Sequence, residues 1–132
     1  MKKKGSVCVY THTRNEDLKK AFKKTLSSAP AGKVSSLIDA MATAPAPRFY
    51  IDETRAYRLI RERINKGSWP ERMLPGKRKM IEEIWTRSML LMHTDPGLHL
   101  YDAVITVIHS PAPSFYLTPG SMRTILYATL AH

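Results

Sequence analysis

This sequence predicts an all-α protein built from two tandem three-helix repeats, and three observations carry the prediction. Residues 44–51 read Ala-Pro-Ala-Pro-Arg-Phe-Tyr-Ile and residues 110–117 read Ser-Pro-Ala-Pro-Ser-Phe-Tyr-Leu, so five of eight positions are identical at an offset of 66. A self-match at a fixed offset marks a repeated supersecondary unit. It extends outward through Pro30/Pro96, Val34/Leu100, Ile38/Val104, Leu59/Ile125 and Ile60/Leu126. Further upstream it returns with a shift of three residues, which sets Ala21-Phe22 against Ile84-Trp85. Second, apolar residues recur at helical spacing on both sides of each signature. Third, a helix start falls at the same point of both copies, at Asp52 in one and at Thr118-Pro119 in the other.

Residues 1–14 read as a basic N-terminal arm. Three lysines open it, and the short alternation of Val7-Cys8-Val9-Tyr10 finds no strand partner elsewhere. The first repeat occupies 15–66. Its first helix is expected over 15–28, with Asn15 as N-cap and with Glu16 and Asp17 suiting the positive helix start. Leu18, Ala21, Phe22, Thr25 and Leu26 form one apolar stripe, and Lys19, Lys20, Lys23 and Lys24 lie mainly off it. Pro30-Ala31-Gly32 ends that helix. The second helix, over 33–43, turns Val34, Leu37, Ile38 and Met41 inward until Pro45 and Pro47 stop it, leaving Ala44 and Ala46 extended. Phe49 and Ile51 then plug the core. The third helix runs from an Asp52 N-cap to Asn65 and stops at Lys66-Gly67. Its apolar stripe is Ala56, Leu59, Ile60 and Ile64, and its outer face is Thr54, Arg55, Tyr57, Arg58 and Arg61.

Gly67, Pro70, Pro75 and Gly76 punctuate a linker over 67–79. Trp69, Met73 and Leu74 are too apolar to hang free, so the linker lies against the folded units. The second repeat occupies 80–132. Its first helix, beginning near Lys77 and ending at His93, faces inward with Ile81, Ile84, Trp85, Ser88, Leu91 and Met92. A turn at Asp95-Pro96-Gly97 leads to a helix over 100–109. The last helix starts at Pro119, with Met122, Ile125, Leu126 and Leu130 inside and Ser121, Arg123, Thr124 and Tyr127 outside.

The chain of 132 residues carries 21 Lys/Arg against 11 Asp/Glu, a net charge of +10. That excess points to a polyanionic partner. It is uneven: residues 1–66 hold 15 basic and 6 acidic residues, residues 67–132 hold 6 and 5. No apolar run approaches the roughly 18 residues of a membrane span. The single Cys8 forms no internal disulfide and agrees with a reducing compartment. A cytoplasmic protein is expected, of a bacterial cytoplasm or nucleoid or encoded by a phage. There is no Gly-rich phosphate loop and no metal-type His or Cys spacing, and the five histidines are scattered, so neither catalysis nor a cofactor nor a metal is expected.

Helix, turn, helix, connector and a polar third helix is the order of a trihelical helix-turn-helix, whose last helix enters the major groove. Arg55 and Arg58 suit bidentate contacts to guanine, and Thr54 suits a thymine methyl or a phosphate. Tyr50 and Tyr116, just ahead of the third helices, suit phosphate contacts. The lysines at 19, 20, 23 and 24, with Arg48, Arg61, Lys77 and Arg78, complete the basic set, and Ser121 and Arg123 are its counterparts in the second repeat. The blander alternative makes these a solvated surface and the prolines a rigid spacer. On its helix order, residues 15–130 resemble the tandem helix-turn-helix DNA-binding proteins of bacteria, phages and mobile elements. The resemblance implies double-stranded DNA as partner and no catalysis, and the uneven charge makes the first repeat dominant. RNA is the next candidate. The near-neutral second repeat keeps open an adaptor of a phage particle or nucleoprotein assembly that binds protein.

Overall fold

The structure, a computed structural model, describes residues 4–28, 34–41 and 44–130. Among the described residues the architecture is all-helical. The helices are α1 (Lys4–Ser28), α2 (Val34–Ala40), α3 (Glu53–Lys66), α4 (Pro75–Thr94), α5 (Leu100–Ile108) and α6 (Pro119–Leu130). The turn read at 30–32, Lys2, Lys3 and the end of the second helix at 42–43 lie outside the described residues.

Two boundaries differ from the sequence reading. Residues 4–14 are not an arm but the first turns of a continuous α1. Nothing between 4 and 14 breaks a helix, since Gly5 alone is tolerated at modest cost. Asn15 does not cap; its side chain accepts hydrogen bonds from Arg14 Nε and Nη2. The linker is also shorter, because α4 begins at Pro75, a residue that gives up no hydrogen bond in a first turn. Lys77 and Arg78 therefore stand on a helix. The other starts follow their local chemistry. Asp52 accepts from the Arg55 backbone N–H at 3.0 Å, and Thr118 Oγ1 accepts from that of Ser121 at 3.1 Å. Gly67 closes α3 at φ 80°, a conformation that favours glycine.

The helices do not pack in the order in which they repeat. α3 packs on α4 and α5, while α6 packs on α1 and α2. Each repeat thus lends its third helix to the first two helices of the other. The crossing occurs at the Pro-Ala-Pro connectors. Ala46 and Ala112, one offset of 66 apart, form a two-residue antiparallel bridge. The Ala46 N–H donates to the Ala112 carbonyl at 3.0 Å and the Ala112 N–H donates back at 2.9 Å. Beside them Phe49 stacks on Tyr116 and Tyr50 on Phe115, with ring centres 6.1 and 5.9 Å apart. Each pair joins one residue to the equivalent of its neighbour, the signature of an approximate two-fold axis.

The core gathers on this axis. Phe49 and Phe115 are 1% and 3% exposed, with Ile51, Ala46 and Ala112 beside them. α1 contributes Leu18 and Phe22, α3 Ala56, Leu59 and Ile60, α4 Met80, Ile81 and Ile84, and α6 Met122 and Leu126. Trp69 and Met73 of the linker pack on this core, but Leu74 does not. Ile64, read as inward, is exposed as well. The last turn of α3 packs through Arg63 instead, whose guanidinium lies 5.1 Å from the Trp85 ring centre and 5.8 Å from that of Trp69.

The exchange has a direct test. A protease site built into the exposed Glu71-Arg72 stretch should allow cleavage with no loss of association. The two fragments are expected to co-elute at the mass of the uncut chain and to unfold in one urea transition. Fragments that part in native buffer would mean that each repeat packs on itself.

Candidate nucleic-acid interface

α3 carries the arginines. Thr54, Arg55, Arg58 and Arg61 are all exposed, because Ala56, Leu59 and Ile60 turn the opposite face inward. Arg61 donates to the Tyr57 hydroxyl at 2.8 Å, and Tyr57 sits edge-on to Tyr101 of α5. Glu53 pairs with His109 at the same end of α3. α3 thus runs antiparallel to α5, while Arg55 beside Lys77 and Arg63 over Trp85 show it parallel to α4. The N-terminal turns of α3 and α4 meet, and Lys77 joins Arg55 on one surface. Burial, and then the Arg55 charge, holds the Lys77 ammonium below its ordinary pKa. Arg78 is exposed one residue on.

The lysines of α1 stand elsewhere. Lys19 is half-buried, and Lys20, Lys23 and Lys24 are exposed. They belong to the cluster of α1, α2 and α6, not to that of α3. The charge is also more even in space than along the chain. Helices α1, α2 and α6 together hold 7 basic and 3 acidic residues, and residues 53–108 hold 10 and 7. A dominant first repeat is therefore not one body.

The remaining candidates are engaged within the molecule. Arg48 Nε donates to the Phe49 carbonyl at 2.9 Å, and the guanidinium lies 4.9 Å from the Tyr10 ring centre. The Tyr50 hydroxyl donates to Asp17 rather than standing open to a phosphate. Burial and that hydrogen bond hold the Tyr50 phenol well above the usual tyrosine range. Tyr116 is its counterpart across the axis, raised by burial and by Glu83, the counterpart of Asp17. Glu83 and Tyr116 line one open cleft of ≈ 340 Å³ with Lys79, Glu82 and Thr86. Among the described residues Tyr116 is the one non-glycine with positive φ, at 55°. Arg123 is held by Asp39 at 3.3 Å, and the Ser121 hydroxyl accepts from Thr118 Oγ1 at 3.1 Å.

The raised phenols set a sign for pH dependence. The folded chain keeps protons that an unfolded tyrosine releases near pH 10. Their stabilising contribution is complete below that pH and is lost as pH rises through the higher folded values. Tyrosinate absorbance of the native protein should therefore lag behind that of the denatured chain. In Asp17→Asn the lag should shrink but persist, because burial is the larger cause.

The helix starts and connectors also correct the repeat. The offset of 66 continues unbroken through the first helices, where the sequence reading slips by three. Leu18 and Ile84 are both fully buried, as are Phe22 and Ser88, and Asp17 and Glu83 each meet their own tyrosine. Lys19, Lys20, Lys23 and Lys24 of α1 thus correspond to Trp85, Thr86, Met89 and Leu90 of α4. Burial agrees pair by pair, half-buried at the first and exposed at the other three. These four α4 residues line an open apolar depression of ≈ 380 Å³. The constant offset was the signal that would have found it.

Among the described residues no group of His, Cys, Asp and Glu is arranged to hold a metal, and no helix is long and apolar enough to cross a membrane. Comparison with protein-family models, with curated proteins and with solved structures finds no match to this chain.

Proposed function

We propose that this chain is a non-catalytic, cytoplasmic DNA-binding protein. Each helix cluster would act as a helix-turn-helix-like unit completed by the other repeat's third helix. In this reading α3, supported by α4 and α5, is the recognition helix. Arg55 and Arg58 address base edges while Lys77 and Arg78 meet phosphate beside them. The lysines of α1 form a second phosphate-binding surface on the other cluster. The observation that carries the reading is the exposure of Arg55, Arg58, Lys20, Lys23 and Lys24 on helix faces, in a chain of net charge +10.

Titration against duplex DNA, RNA and single strands at several salt concentrations tests it. Tightest binding to duplex is expected, falling with salt by a log–log slope of about −0.9 per phosphate neutralised. Binding to no nucleic acid at low salt would remove the reading. A second reading, an adaptor that binds protein, draws on the apolar α4 face that replaces the lysines of α1.

A further inference from the structure

The apolar face of α4 is an oddity of the repeat. Its counterpart on α1 is four lysines, so the exposed positions of this face, those of Thr86, Met89 and Leu90, have no structural need of apolar side chains. Met89 is nevertheless 47% exposed and Leu90 63%. Trp85 is covered on one side by Trp69 and Arg63 and opens on the other into the depression with Thr86, Met89 and Leu90.

The residues around it form a seam. Glu82, Thr86, Met89 and His93 are exposed and spaced four, three and four along α4. That is the spacing along which one helix packs against another. The seam is polar at both ends, with opposite character: a carboxylate at the N-terminal end and an imidazole at the other. Such a stripe complements itself when a second copy is laid antiparallel. Glu82 then faces His93 of the second copy, and Thr86 faces its Met89, twice over by two-fold symmetry. Glu82 accepts from Trp69 Nε1 through Oε2, which fixes the carboxylate at the end of the seam.

We propose that the α4 face is a homodimer surface, closed by the α4 of a second copy running antiparallel. The seam spans about three helical turns, and its exposed apolar side chains are Met89 and Leu90 alone, a small patch beside the extended surfaces of stable dimers. The dimer is therefore a weak one that forms at micromolar concentration. It leaves α1, on the other cluster, uncovered.

Sedimentation equilibrium of the full chain from micromolar to sub-millimolar concentration tests this without nucleic acid, so its outcome is separate from that of the DNA-binding reading. Wild-type mass should rise from the 15.0 kDa of one chain towards twice that value. Met89→Lys with Leu90→Lys, which installs the residues that α1 carries at the same positions, should stay at one chain's mass with an unchanged thermal midpoint. Glu82→Lys and His93→Glu should each weaken the dimer several-fold, and the double variant should recover it. These two sites are exposed, so they keep the test valid should the lysine pair disturb folding. A wild type that stays at 15.0 kDa throughout overturns the proposal, as does a double variant with no recovery. A monomer whose α4 face binds only an unrelated protein also overturns it.

Discussion

Phe49→Ala is expected to destabilise the whole molecule by about 3–5 kcal/mol, the usual cost of emptying a buried phenylalanine site. That is a large share of the roughly 5–15 kcal/mol that holds a typical domain together. The ring is 1% exposed and lies between residues of the other repeat. Tyr116 stacks on it at 6.1 Å, and the Arg87 guanidinium lies 5.5 Å from its centre. Phe115, 3% exposed and stacked on Tyr50, should cost a similar amount. Because both rings sit where the connectors cross, the destabilisation should appear in one cooperative urea transition. Its midpoint should fall while its slope stays unchanged. A change below about 1 kcal/mol, or one repeat melting before the other, would contradict the crossed core. Ile64→Ala is the control: that side chain is 47% exposed, and its truncation should stay near the small effects of surface changes.

Arg55→Ala with Arg58→Ala is expected to cost about 1–3 kcal/mol on the preferred duplex and to relax sequence preference there. At about 2 kcal/mol that is roughly thirtyfold in affinity. Lys23→Ala with Lys24→Ala should act differently. It should weaken all duplex sequences alike and flatten the salt slope by about 0.9 for each phosphate that is no longer neutralised. Since α1 and α3 stand in different helix clusters, the effects of the two pairs should add. Arg123→Ala should matter less, because Asp39 already holds that guanidinium. A double arginine variant that binds duplex like the wild type would take the recognition role from α3. A lysine variant with an unchanged slope would make the α1 face merely solvated.

The all-helical class, the ends of α3 and α5 to within a residue and the start of α6 are legible in the chain without a fold. These are local matters. An Asp52 or Thr118 cap, a Gly67 stop or a Pro119 start acts on residues within one turn, so the signal for each is contiguous in the chain. The burial of Phe49 and Phe115 is legible too, because two copies of one signature read alike. Continuous α1 is not, because a plausible cap at Asn15 resembles a start whether or not the chain is already helical before it.

Which helix packs on which is a different matter, fixed by the folded molecule alone. An apolar stripe such as Ala56, Leu59 and Ile60 states that a face must be covered, and it is equally satisfied by α1 and α2 or by α4 and α5. The connectors settle the choice. Pro45, Pro47, Pro111 and Pro113 hold the residues before them extended. The chain therefore does not double back, and Ala46 meets Ala112 instead. Each third helix is carried across the axis onto the other repeat. That crossing sets Lys77 beside Arg55, parts the α1 lysines from the α3 arginines, and leaves the α4 face at the position that α1 fills with charge.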